Sequence, residues 1–309
     1  DLPYPLRRQR QMCIRDRMKA SAKARLDADG KLTVSSATTD IGTGTYTVMT
    51  QIAADAAGVR VQDITFVLGD SSLPTAPLQG GSFTVSSVGS AVRQACLVLR
   101  SKVLEHARNT YPELANTPTE QIVFADGYLY AGSLCLALGD IVASAAGAGF
   151  EVQIDAEPGA RRQLFSTATH SAVFVEVHVD EDLGTIRVTR VVSAVAAGRV
   201  VNPKTAASQI LGGVVWGVGM ALHEEALTDH RLGRIVNHDL AQYHIPVNAD
   251  IGDIEVIFVE ENDDIVNELG SKGVGEIGVV GVAAAVANAV YHATGKRVRA
   301  LPITLDKVL

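Results

Sequence analysis

Cysteine, aromatic residues and positive charge are all scarce in this chain. Its three cysteines, Cys13, Cys96 and Cys135, share no Cys-x-x-Cys spacing, so the chain cannot by itself assemble an iron–sulfur cluster or a structural zinc site. Cys96 and Cys135 read as buried, unpaired thiols. The eight histidines include no His-Glu-x-x-His pair. His223 beside Glu224 and Glu225, and His238 with His244, read as surface or core residues rather than metal ligands. Acidic residues outnumber basic ones, 34 to 27, for a formal charge of −7, a balance that argues against nucleic acid as a partner. Long hydrophobic runs are missing too. The longest, residues 212–222 and 277–287, fall short of the roughly 20 residues that a membrane-crossing helix needs. With no signal peptide in view, the expectation is a soluble chain without a membrane span.

Glycine, by contrast, is plentiful at 28 residues, and aliphatic side chains bring the hydrophobic share to 47% against 5% aromatic. A core of Val, Ile, Leu and Ala follows, with many special turns, and 309 residues suffice for two domains. Residues 1–17 stand apart, with five arginines and two aspartates but no periodicity. Their run Met12-Cys13-Ile14-Arg15-Asp16-Arg17 resembles translated adapter sequence. They are set aside as non-native, with the expectation that the chain is a fragment lacking its true N-terminal part.

The remainder reads as mixed α/β (α+β), in two subdomains over 18–156 and 157–309 joined at a Pro/Gly/Arg-rich linker, 157–162. Strands at 22–26 and 32–38 flank Asp29-Gly30, a hairpin signal. A helix over 45–57 is stopped by Gly58. A strand at 64–68 and a helix ending near 107 follow. Residues 122–124 and 128–131 form a hairpin around Asp126-Gly127, and a short helix over 140–146 has Asp140 as its N-cap and Gly147 or Gly149 as its stop. Beyond the linker, 172–179 and 185–195 alternate strongly and form a long hairpin around 180–184. Then come a Gly-rich apolar helix over 206–225, a strand at 254–259 and a helix over 279–290.

The chemistry concentrates in glycine-rich turns. Gly270-Ser271-Lys272-Gly273-Val274-Gly275-Glu276-Ile277-Gly278 puts one carboxylate where backbone N–H groups at a helix start would suit an anion. Glu276 has two readings: a first-turn carboxylate that offsets the helix dipole, or a catalytic base flanked by glycine so that a ligand can approach the backbone. The spacing leaves both open. Gly273-x-Gly275-x-x-Gly278 also fits a dinucleotide fingerprint, but a polar loop precedes it and no acid follows the helix, where the ribose would need one. Three more turns enter helices: Gly42-Thr43-Gly44, the Gly/Ser/Thr-rich run from Gly80 through Val85 and Ser86 to Ser90, and Arg199-Val200-Val201-Asn202-Pro203-Lys204-Thr205. Ordinary capping explains each alone. Gln209, polar in an apolar helix, is expected to have a partner. Four such turns together suit a large phosphate-bearing cofactor gripped by backbone from several directions.

These turns, in this order, resemble the C-terminal half of the molybdopterin-binding subunit of the xanthine dehydrogenase/aldehyde oxidase family, over residues 18–309. Within it, the bacterial aldehyde oxidoreductase branch is the most similar. The resemblance implies the fold of that half, two mixed α/β subdomains with long β-hairpins, and a molybdenum–molybdopterin cytosine dinucleotide cofactor. It implies Glu276 as the general base, taking a proton from the water that supplies oxygen as an aldehyde becomes a carboxylic acid. Burial beside an anionic cofactor would raise its pKa, with Lys272 opposing this. Cofactor contacts are implied for Gly42, Thr43, Gly44, Val85, Ser86, Arg199, Val200, Val201, Asn202, Pro203, Lys204, Thr205, Gln209, Lys272, Gly273, Val274 and Gly275. No protein ligand to the metal is implied. FAD and 2Fe–2S clusters are implied on partner subunits, and the cytoplasm as the compartment, or the periplasm where a partner carries an export signal. The Gly-Thr-Gly turn departs from the Gly-Gln-Gly of the xanthine-oxidising branch, which counts against purine as substrate. With the N-terminal half absent, the fragment alone is expected to be inactive. Readings from other classes are a non-catalytic α/β binding or assembly module and, more weakly, a nicotinamide-dependent dehydrogenase.

Overall fold

The computed structural model describes residues 18–145, 147, 149–157 and 164–309. The segment 1–17, with Cys13, and all of the expected linker except Glu157 lie outside the described residues, as does Ala146. The chain forms two compact units. Of the described residues, one holds those from Met18 to Thr167 together with Asp263–Lys272; the other holds Ala168–Asn262 and Gly273–Leu309.

In the first unit, β1 (Ala20–Leu26) and β2 (Leu32–Ser35) pair antiparallel around the expected Asp-Gly turn. Helix α1 (Thr45–Ala57) ends at Gly58, whose φ of 72° suits glycine and where a Cβ would collide with the Phe124 carbonyl. Strand β3 (Ile64–Val67) lies parallel to β2, and the sheet order is β3-β2-β1-β7, with β7 at Phe150–Ala156. The central strand β1 buries Ala20, Ala22 and Ala24 almost completely. Their small side chains let α2 (Ser90–Thr110) lie against the strand. A separate antiparallel sheet comprises β4 (Ile122–Ala125), β5 (Tyr128–Ala131) and β6 (Leu134–Ala137).

Three expectations change here. Strand β6 runs directly into α3 (Leu138–Ala143), whose N-cap is Ala137, so Asp140 sits inside the first turn and caps nothing; the helix closes at Ser144 rather than at a glycine. Cys96 is fully buried as expected, but Cys135 points outward from β6 and is exposed. Helix α2 has no capped start, because it continues from a π-helical turn over Val85–Gly89.

In the second unit, β8 (His170–Asp180) and β9 (Thr185–Ala196) form the long hairpin, with a bulge at Glu176/Val177. Asp180 closes its turn, accepting N–H bonds from Asp182 and Leu183. After α4 (Pro203–Leu222) and a two-residue hairpin of β10 (Thr228–Asp229) with β11 (Arg234–Ile235), β12 (Asp253–Phe258) joins β9 in parallel, for the order β12-β9-β8. The C-terminal helical region is broken: α5 (Ile277–Val280) is a single turn, and α6 (Val282–Thr294) begins after Gly281. Val191 and Val195 from the sheet meet Ile210, Val214, Ile277, Val282 and Val286 from the helices in one core. By length and composition alone α4, 20 residues, and Ile277–Thr294, 18 residues, are apolar enough to cross a membrane, a test that core helices also pass. The shorter apolar runs of the sequence stop at polar residues, such as Gln209 and Asn288, that the helices carry within them.

Candidate functional site

Each glycine-rich turn is organised by a side chain of the protein itself. Asp40 reaches into the Gly42–Thr43–Gly44 turn, its Oδ1 accepting from the amides of Gly42 at 3.0 Å and Gly44 at 3.2 Å, and its Oδ2 from Tyr46 at 3.3 Å. Burial alone would push this carboxyl up. The backbone N–H groups of Gly42, Tyr46, Gly44 and Thr43 outweigh it and hold the group below its ordinary 3.8. The helix-start amides expected to cradle a ligand anion are thus turned on Asp40. What stays open is the glycine surface: a Cβ on Gly42 would meet nothing within 4 Å.

The second run is satisfied internally as well. Ser86 is buried and its hydroxyl donates to the Phe83 carbonyl; Ser90 donates to Ser86 O, and Ser87 Oγ accepts from Met18 N–H. Val85 stays half-buried.

At the start of α4, Asn202 is the N-cap, its Oδ1 accepting from Thr205 N–H at 3.0 Å, and Pro203 at the first position has no N–H to offer. Arg199, Pro203 and Lys204 are exposed; Val200, Val201 and Thr205 are half-buried. Upstream, the Gly198 amide is held by Glu261 Oε2 at 2.9 Å.

The turn before Glu276 is held most tightly. Buried Asn267 donates to Ser271 O at 2.7 Å and accepts from Leu269 and Ser271 N–H. Lys272 is buried and paired with Asp263 at 3.0 Å. In the second unit, the buried Thr169 hydroxyl donates to Gly273 O at 2.6 Å. Val274, Gly275 and Glu276 are half-buried, and Glu276 is the residue at which α5 begins. The long helix expected here is a four-residue turn, so no extended helix dipole bears on Glu276.

A seam of glycines fixes α5 in place. A Cβ on Gly213 would fall 2.8 Å from Gly278 backbone atoms, and one on Gly278 would fall 2.9 Å from Ile210 O, so the backbones of α4 and α5 touch. One turn on, Gly217 abuts Val282. Positions 209, 213 and 217 share a helix face, so Gln209 lies one turn before Gly213 on the side of α4 that carries this seam. Gln209 is half-buried and, contrary to expectation, has no hydrogen-bond partner among the described residues. An apolar helix face carrying a polar amide, and a glycine turn that leads into a carboxylate, are features that suit a large ligand held by backbone and a few polar groups. Among the described residues no group of three or more His, Cys, Asp or Glu side chains is placed to hold a metal.

The glycine turns were legible as a pattern. Missed were Asp40, Asp263, Asn267 and Thr169, which hold them. An Asp or Asn two residues before a glycine or small polar residue is the usual signal of such a side-chain-closed turn, and Asp40-x-Gly42 carries it.

The fold and this site define a class. Residues 7–252 match the family model described as molybdopterin cofactor-binding domain, and the chain belongs to that family, within the xanthine dehydrogenase group. More particularly, it is 42% identical over 291 residues, 94% of its length, to the aldehyde oxidoreductase molybdenum-binding subunit PaoC of Escherichia coli K12. It is 30% identical over 297 residues, 92% of its length, to the putative xanthine dehydrogenase molybdenum-binding subunit XdhA of the same strain. Quinoline 2-oxidoreductase from Pseudomonas putida 86 superposes with a TM-score of 0.81 at 25% identity, over 94% of this chain and 38% of that one. The chain spans 38% of the length of both curated relatives.

Proposed function

We propose that this chain is part of the molybdenum-binding subunit of an aldehyde-oxidising hydroxylase, with Glu276 as the general base and water as the oxygen source. The similarity that carries this reading is the 42% identity to an aldehyde oxidoreductase subunit across 94% of the chain. The cofactor is a molybdopterin, in its cytosine dinucleotide form. The contacts we propose for it are Gly273, Val274, Gly275 and Gln209, with Arg199 to Thr205 at the α4 start. Gly42, Thr43, Gly44, Val85, Ser86 and the backbone of Lys272 are proposed as further contacts. When bound, the molybdenum centre accepts the two electrons of the oxidation, and FAD and iron–sulfur clusters on partner subunits carry them away.

The chain's own contribution is position and proton transfer. Glu276 takes a proton from the water whose oxygen enters the product. The Gly213–Gly278 backbone contact fixes where its carboxylate starts from, and the Thr169–Gly273 hydrogen bond fixes the turn that leads to it. A base held this way meets the transition state without reorganising.

The test uses the complete subunit produced with its partners. Dye reduction by an aromatic aldehyde is compared for the unaltered enzyme and Glu276→Gln at matched molybdenum content. Loss of a positioned general base costs about 10²–10⁴-fold; near-equal rates would leave Glu276 as a helix-start carboxylate. A second reading, hydroxylation of an N-heterocycle, is favoured by the 0.81 structural match to a quinoline oxidoreductase. Turnover of quinoline or xanthine in place of the aldehyde would select it.

A further inference from the structure

We propose that Asp263 and Lys272 form a clasp that positions residues 273–276 for the reaction, and that the Lys272 ammonium acts as a strut rather than as a phosphate ligand. The inference rests on the function proposed above. Asp263 and Lys272 are the first and last residues of the ten-residue segment, Asp263–Lys272, by which the chain returns to the first unit. Their side chains meet across its base, Nζ to Oδ2 at 3.0 Å, with the Lys272 side chain 4% exposed and that of Asp263 17% exposed. A surface pair of this kind would carry little information. A lysine this deeply buried does, because desolvating its charge is costly unless a partner compensates it.

The partner is itself immobilised. Asp263 Oδ1 accepts N–H bonds from Ile265 and Val266, both at 3.0 Å, while Oδ2 faces the ammonium. Burial would raise its pKa, but the bond from Lys272 and these two amides hold it below the ordinary 3.8, so the carboxylate stays charged at neutral pH. Asn267 then locks the interior of the segment. The next residue along, Gly273, begins the turn that ends in Glu276. Rotation at Lys272 therefore passes directly into the backbone that presents the carboxylate.

The test is a charge-removal cycle in the complete subunit with its partners: Asp263→Asn, Lys272→Met, the double variant, and Lys272→Arg as the conservative replacement. Three quantities are read: hydrogen–deuterium exchange of residues 264–276, molybdenum content, and kcat and KM per bound molybdenum. The clasp predicts that each single variant speeds exchange and lowers kcat tenfold or more, with KM within threefold. The double variant, which removes both charges of the pair, recovers most of the loss, and Lys272→Arg, which keeps the charge, recovers at least part of what Lys272→Met loses. If Lys272→Met and the double variant both lose cofactor while Asp263→Asn keeps full content and kcat, Lys272 is a cofactor ligand and the clasp is overturned. Unchanged kcat per molybdenum in both single variants also overturns it. Exchange requires no turnover, so a failure to oxidise aldehydes would sink the proposed function while leaving the clasp measurable.

Discussion

Asp40 and Asp263 occupy different turns but are treated alike by the fold, each surrounded by backbone N–H groups that hold its charge in place. Because both folded pKa values lie below the ordinary 3.8, their contribution to stability is complete above that pH. It fades as the pH falls through the lower folded values. Thermal midpoints recorded from pH 6 downward should therefore drop less steeply in Asp40→Asn than in the unaltered protein. Asp40→Ala should cost about 1 kcal/mol at neutral pH, the usual worth of a helix-start cap. A second contrast at this scale concerns the cysteines. Burial pushes the Cys96 thiol up to about 12, whereas Cys135 is exposed. Iodoacetamide at pH 8 followed by peptide mapping should label Cys135 and spare Cys96 until denaturant is added. The sequence alone suggested the opposite for Cys135, because a four-residue strand such as β6 has too short an alternation to reveal its outward face.

Among the elements, those with local punctuation were legible. Helix α1 has the expected bounds because Gly44 and Gly58 mark both ends, and the hairpins at Asp29-Gly30, Asp126-Gly127 and residues 180–184 fall where turn chemistry places them. The elements missed are those whose reason lies elsewhere in the chain. Strand β7 exists because it completes the edge of β1, far away in sequence, and α5 and α6 pack on α4, also distant in sequence. The candidate site divides in the same way. Glycine and carboxylate types could be read directly, but the contact of Gly213 with Gly278 is visible only once helices pack. That contact makes adjacent glycines behave oppositely. Gly213→Ala forces a Cβ against backbone and should destabilise by about 1–3 kcal/mol, while Gly212→Ala meets nothing within 4 Å and should gain up to about 1 kcal/mol of helix propensity. Urea midpoints of the two variants in the complete subunit decide it. If the seam also sets Glu276, Gly213→Ala loses kcat and Gly212→Ala does not.

At the scale of the whole chain, apolar surface is the feature the core does not absorb. Helix α4 turns Leu211, Trp216 and Met220 outward, with Trp216 58% exposed, and Leu240 and Val247 in the segment after it are exposed as well. Exposed apolar side chains of this kind suit an interaction face or a tendency to aggregate. The chain spans 38% of its curated relatives' length, so the proposed function supplies a reason: much of the polypeptide that accompanies this chain in such subunits is not part of it. The chain produced alone over residues 18–309 should therefore self-associate as its concentration rises and bind a hydrophobic dye. Trp216→Gln combined with Met220→Gln should weaken both. Trp216 is the chain's only tryptophan, so its emission reports on this face specifically, and strong acrylamide quenching at high dilution that fades with concentration would tie the association to α4. A chain that stays monodisperse at every concentration, with Trp216 quenched throughout, would show that these side chains are not adhesive.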